Sequence, residues 1–191
     1  QASPTSVQVS WTPPGSQLAG ARYTVTRTSG AGAGTVVCSA VPGTSCTDTG
    51  LVAGAAYGWS VVAVIGANWR SAAATASATL LAVTTTSLAG GNVGSAYSQT
   101  LAAVGGTGVY TWSLTAGALP TGITLAPSTG VLSGTPTVGG TFSGLQFTVT
   151  DGAGRTASSP SLTLVVGKTA QTITVNAADR KSTRLNSSHG Y

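Results

Sequence analysis

The chain has 191 residues, of which only 6% are charged, with eight Lys/Arg, three Asp/Glu, one His and a formal net charge of +5. So few titratable groups leave little for acid–base or metal chemistry. The bases of residues 1–178, Arg22, Arg27, Arg70, Arg155 and Lys168, stand singly, without the clustered basic face of a nucleic-acid binder, and no apolar run approaches the ~20 residues that a membrane helix needs.

Glu and Met are absent, Gly and Pro recur every few residues, and Thr- and Val-rich alternation dominates, so the chain is expected to be all-β. "VQVSW" puts Val7, Val9 and Trp11 on one face of a first strand. "RYTVTRT" turns Tyr23 and Val25 inward and Arg22, Thr24 and Thr26 outward. Cys38 and Cys46 are eight positions apart, and the Pro42-Gly43 turn signal between them allows a hairpin that brings the sulfurs together. Two readings stand. A disulfide would stabilise a small domain by about 2 to 3 kcal/mol in the chain-entropy argument and imply an oxidising, extracytoplasmic setting; alternatively, both are buried thiols. Zinc finds no third or fourth ligand here. Asp48, before Thr49-Gly50, reads as a turn cap. "YGWSVVAVIG" aligns Tyr57, Trp59, Val61, Ala63 and Ile65 at period two, with Val62 and Val64 on the reverse, as in a central sandwich strand. In the "GANWRS" loop that follows, Trp69 beside Arg70 can stack on a sugar or anchor a partner, or else pack across the loop base or against the next domain.

Residues 3–83 resemble a fibronectin type III domain, through Trp11 after "VQVS", Pro13-Pro14, Tyr23 and above all "LVAGAAYGWSVVA". The resemblance implies that Leu51, Gly54 and Tyr57 form a tyrosine corner, a buried ring whose hydroxyl bonds upstream backbone and fixes a Greek-key crossover. No Arg-Gly-Asp occurs, so integrin binding has no support.

Residues 84–167 are again strands: Tyr110, Trp112 and Leu114 alternate, then Leu145, Phe147 and Val149, then Leu162, Leu164 and Val166, with Asp151-Gly152 as a turn. "LPTGITLAPSTGVLSGTPTVGGTF" resembles the Ig-like repeat of bacterial haemagglutinin-type surface proteins, related to the cadherin-like domains of dystroglycan. Leu119, Pro120, Gly122, Ser128, Thr129, Gly130, Ser133, Gly134, Thr135, Pro136, Phe142, Phe147 and Asp151 carry the likeness. Physically the signature is scaffolding: Gly122, Gly130 and Gly134 serve turns or close approaches, and Pro120 and Pro136 pre-set extended or turn geometry. No helix follows these glycines, which argues against a phosphate cradle. Calcium, bound between domains in cadherin-like relatives, usually needs several carboxylates; Asp151 is the only acid in this stretch and reads as a structural turn residue.

Residues 168–178, "KTAQTITVNAA", read as a linker and the first strand of a further Ig-like repeat. "DRKSTRLNSSH" (179–189) then brings one acid, three bases and the only histidine into a nearly uncharged chain. Back-translated, it resembles one reading frame of a widely used sequencing adapter at all eleven codons. Residues 179–191 are therefore expected to be a foreign scar that packs against nothing, the remainder carries a net +3, and the chain, which lacks methionine, is expected to be an internal piece of a longer protein.

Together these features lead to an expectation of two tandem Ig-like Greek-key β-sandwiches, each of ordinary small-domain size. Paired carboxylates or a Ser/His/Asp arrangement cannot be assembled from Asp48 and Asp151, so no enzyme, no metal and no cofactor is expected. The favoured role is a structural or adhesive stalk of a secreted or cell-surface, bacterial, multidomain protein with further Ig-like domains and an unknown protein or carbohydrate ligand. The alternative is an accessory spacer or weak carbohydrate-binding region of a secreted polysaccharide-degrading enzyme.

Overall fold

The computed structural model describes residues 5–13 and 20–168, and every helix-or-strand element in them is a strand. Most of the expected further repeat (169–178) and all of the expected scar (179–191) lie outside the described residues.

The first domain contains β1 (Ser6–Ser10), β2 (Arg22–Ser29), β3 (Val36–Val41), β4 (Ser45–Thr49), β5 (Ala56–Ile65), β6 (Trp69–Arg70) and β7 (Ala74–Thr79). β1 pairs with β4 in one sheet; β3, β2, β5 and β6 follow in that order in the other, with β7 also on β5. Alternation explains why the two sheets face each other. Tyr57, Trp59, Val61 and Ala63 are buried on one side of β5, and they meet Tyr23 and Val25 from β2, Val9 from β1 and Cys46 from β4 in a single core. Each such aromatic removes a large apolar area from water, which is the main stabilising term for a domain this small. Trp11 is half-buried with its ring centroid 5.2 Å from that of Tyr23, and its indole N–H has no partner among the described residues.

The second domain contains β8 (Ala82–Val83), β9 (Gly91–Asn92), β10 (Tyr97–Thr100), β11 (Ala103–Val104), β12 (Tyr110–Ala116), β13 (Ile123–Ala126), β14 (Val131–Gly134), β15 (Gly140–Asp151), β16 (Thr156–Ser158) and β17 (Leu162–Gly167). One sheet runs β10, β14, β13; the other runs β12, β15, β17, β9, with β16 on β15 and the β17–β9 pair parallel. Leu145, Phe147 and Val149 from β15 and Leu162, Leu164 and Val166 from β17 point into one core with Trp112, Ile123 and Leu132.

The β13–β14 corner is built on backbone contact. Gly134 sits opposite Ile123 at φ +137°, where its Cβ would run into the Gly122 carbonyl, and a Cβ on Gly122 (φ +93°) would run into the Thr135 carbonyl. Pro120 and Pro136 are fully buried beside it, their carbonyls accepting 3.0 Å bonds from the N–H groups of Ile123 and Gly94. Gly130 lies against the Trp112 indole, and its carbonyl accepts the Leu101 N–H at 2.8 Å.

Candidate functional site

In the first domain the polar groups converge on Asp48. The sequence suggested a turn cap, but Asp48 lies within β4, two residues after Cys46, and the alternation of that strand turns both inward. Arg27, inward on β2 by the same alternation as Tyr23 and Val25, donates from Nε and Nη2 to the two Asp48 oxygens at 2.9 and 2.5 Å. Trp59 Nε1 on β5 adds a 2.7 Å bond to Oδ2. Burial alone would push the Asp48 carboxyl up; the hydrogen bonds from Arg27 and Trp59 and the Arg27 charge outweigh it and hold the group below the usual carboxylate range. The third donor arm of Arg27, Nη1, bonds the Ala31 carbonyl at 2.6 Å, and its guanidinium lies 5.4 Å from the Tyr57 ring centroid.

The Tyr57 hydroxyl accepts the Val52 N–H at 3.0 Å, next to buried Leu51, so the ring ties the β4–β5 connection to the core. A disulfide joins Cys38 on β3 to Cys46 on β4, with Cα atoms 6.4 Å apart. It is a covalent link between the same two sheets that the Arg27–Asp48 pair joins. Reduction is expected to lower the stability of the first domain by about 2 to 3 kcal/mol through the closed loop and leave the second unchanged. Urea unfolding with and without reductant, followed domain by domain, would refute this if both transitions moved together or neither moved.

Asp151 ends β15 and is buried. It accepts from the N–H groups of Ala153 (3.0 Å) and Arg155 (2.9 Å), from Arg155 Nε (3.0 Å) and from the Thr107 N–H (3.2 Å). It therefore forms its own turn and also braces the 105–107 loop. Burial opposes ionisation, but those backbone bonds and the Arg155 charge win, and this carboxyl too is held low. Both folded carboxyls are thus more acidic than in the unfolded chain. Their stabilisation is complete above the unfolded value and is lost as pH falls through the folded value. Urea midpoints are expected to fall as pH drops below about 4; midpoints equal at pH 3 and 6 would show that neither carboxylate contributes.

The braced loop meets the first domain. Gly106 N–H donates to the Thr79 carbonyl at 3.0 Å, and β8 pairs with β11, Ala103 opposite Val83 and Val104 opposite Ala82. Leu80 belongs to the first core and Leu81 to the second. Both backbone groups of Leu80 are fixed from the first domain, by Ala55 O and Gly54 N at 3.0 Å each. Gly54 also approaches the second domain: a Cβ there would stand 3.3 Å from the Ala82 methyl and 3.5 Å from Val104 Cγ2. The consecutive leucines leave no free linker between the cores. A groove of about 620 Å3 runs along this junction, lined by Tyr57, Ser77, Thr79, Gly106, Thr107 and Tyr110.

Trp69 and Arg70, the sequence-derived binding pair, lie not in a loop but on β6, which folds back on β5. Both are exposed, Trp69 at 43%. The register separates them: Trp69 is opposite Ile65 and shares its side of the sheet, whereas Arg70 is opposite Val64 on the other.

Among the described residues no group of three or more His, Cys, Asp or Glu could hold a metal, and no helix is long and apolar enough to cross a membrane. Residues 1–79 match the family described as "Fibronectin type III domain" and residues 78–167 the family described as "Putative Ig domain". No curated protein matches the chain. Solved structures similar to it include the H294Q form of an endo-fucoidan hydrolase, MfFcnA4 of glycoside hydrolase family 107 (17% identity over 93% of this chain and 29% of that one, TM-score 0.40). The protocadherin gammaB4 extracellular domain has 16% identity over 76% of this chain and 27% of its own (TM-score 0.38). Tandem Ig repeats of Dlar have 15% identity over 86% and 90% (TM-score 0.34). The chain spans less than a third of the first two. Domains of the two matched families typically occur in extracellular multidomain proteins and are generally non-catalytic. The tyrosine corner in one sandwich and the Gly122–Gly134 corner in the other agree with the two matches: the chain carries a fibronectin type III domain followed by an Ig-like domain of the second family.

Proposed function

We propose that the chain is a non-catalytic, stiff spacer in a secreted or cell-surface protein, two sandwiches that hold neighbouring modules at a fixed separation. The observation that carries this reading is the handover at Leu80–Leu81, adjacent residues buried in different cores. A flexible tether needs residues that belong to neither domain. Here the next residues, Ala82 and Val83, already pair with β11. The disulfide supports an extracytoplasmic setting, and the exposed indole of Trp69 offers contact surface for an adhesive partner.

The test is backbone 15N relaxation on the full chain. Both domains are expected to tumble with one correlation time, and insertion of Gly-Ser-Gly between Leu80 and Leu81 is expected to split it into two. Independent tumbling in the unmodified protein would overturn the proposal.

A further inference from the structure

The two carboxylates among the described residues are each engaged by an arginine, Asp48 by Arg27 and Asp151 by Arg155. Arg22 and Arg70 have no acidic partner among the described residues, and strand register brings them together. Arg22 on β2 is opposite Val64 on β5, and Val64 is opposite Arg70 on β6. Directly opposed residues share a face, so the two arginines flank Val64 on the outer side of the sheet, two interstrand spacings or about 10 Å apart at the backbone.

Between them is a concavity of about 420 Å3 that also takes in Thr24, Ser39 and Ala40. Its rim is irregular for a reason: Val25 is opposite Cys38 while Tyr23 is opposite Val41, so Ser39 and Ala40 form a bulge beside Thr24. Ala40 is held at φ +53°, the only described non-glycine with positive φ. Bulges re-aim side chains, and left-handed non-glycine residues concentrate at functional positions.

We propose that Arg22 and Arg70 form a binding cleft for an acidic polysaccharide. The two guanidinium forks take sulfate or carboxylate groups, and the Thr24 and Ser39 hydroxyls at the rim meet sugar hydroxyls. The surroundings favour a glycan over other polyanions. A nucleic acid strand calls for a basic track and stacking aromatics, whereas this face has two cations and the Trp69 indole is on the opposite side of the sheet. An acidic peptide adding as a strand would dock along an edge, β3 or β6, whereas Arg22, Val64 and Arg70 lie across the outer face of β2, β5 and β6, a span that a ligand crossing the strands fits better. The assignment goes beyond the spacer reading and does not depend on it.

The test is retention at low salt of the full chain on three immobilised probes: a heparin-type sulfated polysaccharide, polygalacturonate and neutral dextran. Retention on one or both acidic glycans and none on dextran is expected; the sulfated and carboxylated arms identify which oxyanion is preferred. Arg22→Gln and Arg70→Gln are each expected to weaken binding about tenfold, as for one charge-assisted contact. Lys168→Gln, which removes the same charge elsewhere, is expected to bind as the parent does. Arg22→Lys and Arg70→Lys, which keep the charge and the fold, should retain part of the affinity. Absence of retention on both acidic glycans, equal retention on dextran, or an equal loss in Lys168→Gln would each overturn the proposal.

Discussion

Asp48→Ala is expected to destabilise the fibronectin type III domain by about 3 to 5 kcal/mol, the cost of removing one member of a buried ion pair. The loss exceeds a single contact because three donor groups are stranded: Arg27 Nε, Arg27 Nη2 and Trp59 Nε1 all point at this carboxylate. Asp48 lies on the two-stranded sheet and both partners on the opposite one, so their desolvation in the fold goes uncompensated. For a domain of this size that is a large share of its total stability. The graded comparison is Asp48→Asn, which keeps the shape and loses the charge, and an Arg27→Met/Asp48→Leu double variant, which removes both charges but leaves the Trp59 N–H without its acceptor and is expected to recover only part of the loss. Urea unfolding by tryptophan fluorescence reads the effect; a change within 1 kcal/mol for Asp48→Ala would mean that the disulfide and apolar core alone set this domain's stability.

Gly134→Ala is expected to cost the Ig-like domain more than about 4 kcal/mol, or its folding altogether. Two penalties coincide. At φ +137° an L side chain is strained wherever it sits, and here its first carbon would overlap the Gly122 carbonyl, a backbone atom fixed by the pairing of β13 with β14. Gly144→Ala separates the two, because Gly144 has φ +72° and open space around its Cβ position; it should lose only the strain, about 1 to 2 kcal/mol. If both substitutions cost the same, the interlocked corner is not what makes Gly134 indispensable.

Period-two burial made the strands legible in the sequence. Tyr57 through Ile65, Leu145 through Val149 and Leu162 through Val166 each show it, and the Leu51, Gly54 and Tyr57 spacing pointed to the corner that the Val52–Tyr57 bond closes. Asp48 was misread because local sequence sees a carboxylate before Thr-Gly, a turn former, while its role is set by Arg27, 21 positions away on the opposite sheet. The alternation Tyr23, Val25, Arg27 did contain that signal, as did Cys46 two positions before Asp48. β6, with two residues, is too short for periodicity to reveal that Trp69 and Arg70 part to opposite faces. Leu80 and Leu81 gave no pattern at all. Adjacent residues in an extended segment point opposite ways, and only at a domain boundary does that mean two different cores.

Pulled from its ends, a chain of loosely tethered domains first takes up slack, then yields one domain at a time. This pair has no slack to give. Force that strips β7 from β5 arrives at Leu80, and the next peptide bond delivers it to Leu81 at the base of the neighbouring core. Rupture of the first domain therefore frees Leu80 from its core and loads Leu81 with no intervening segment to absorb the extension.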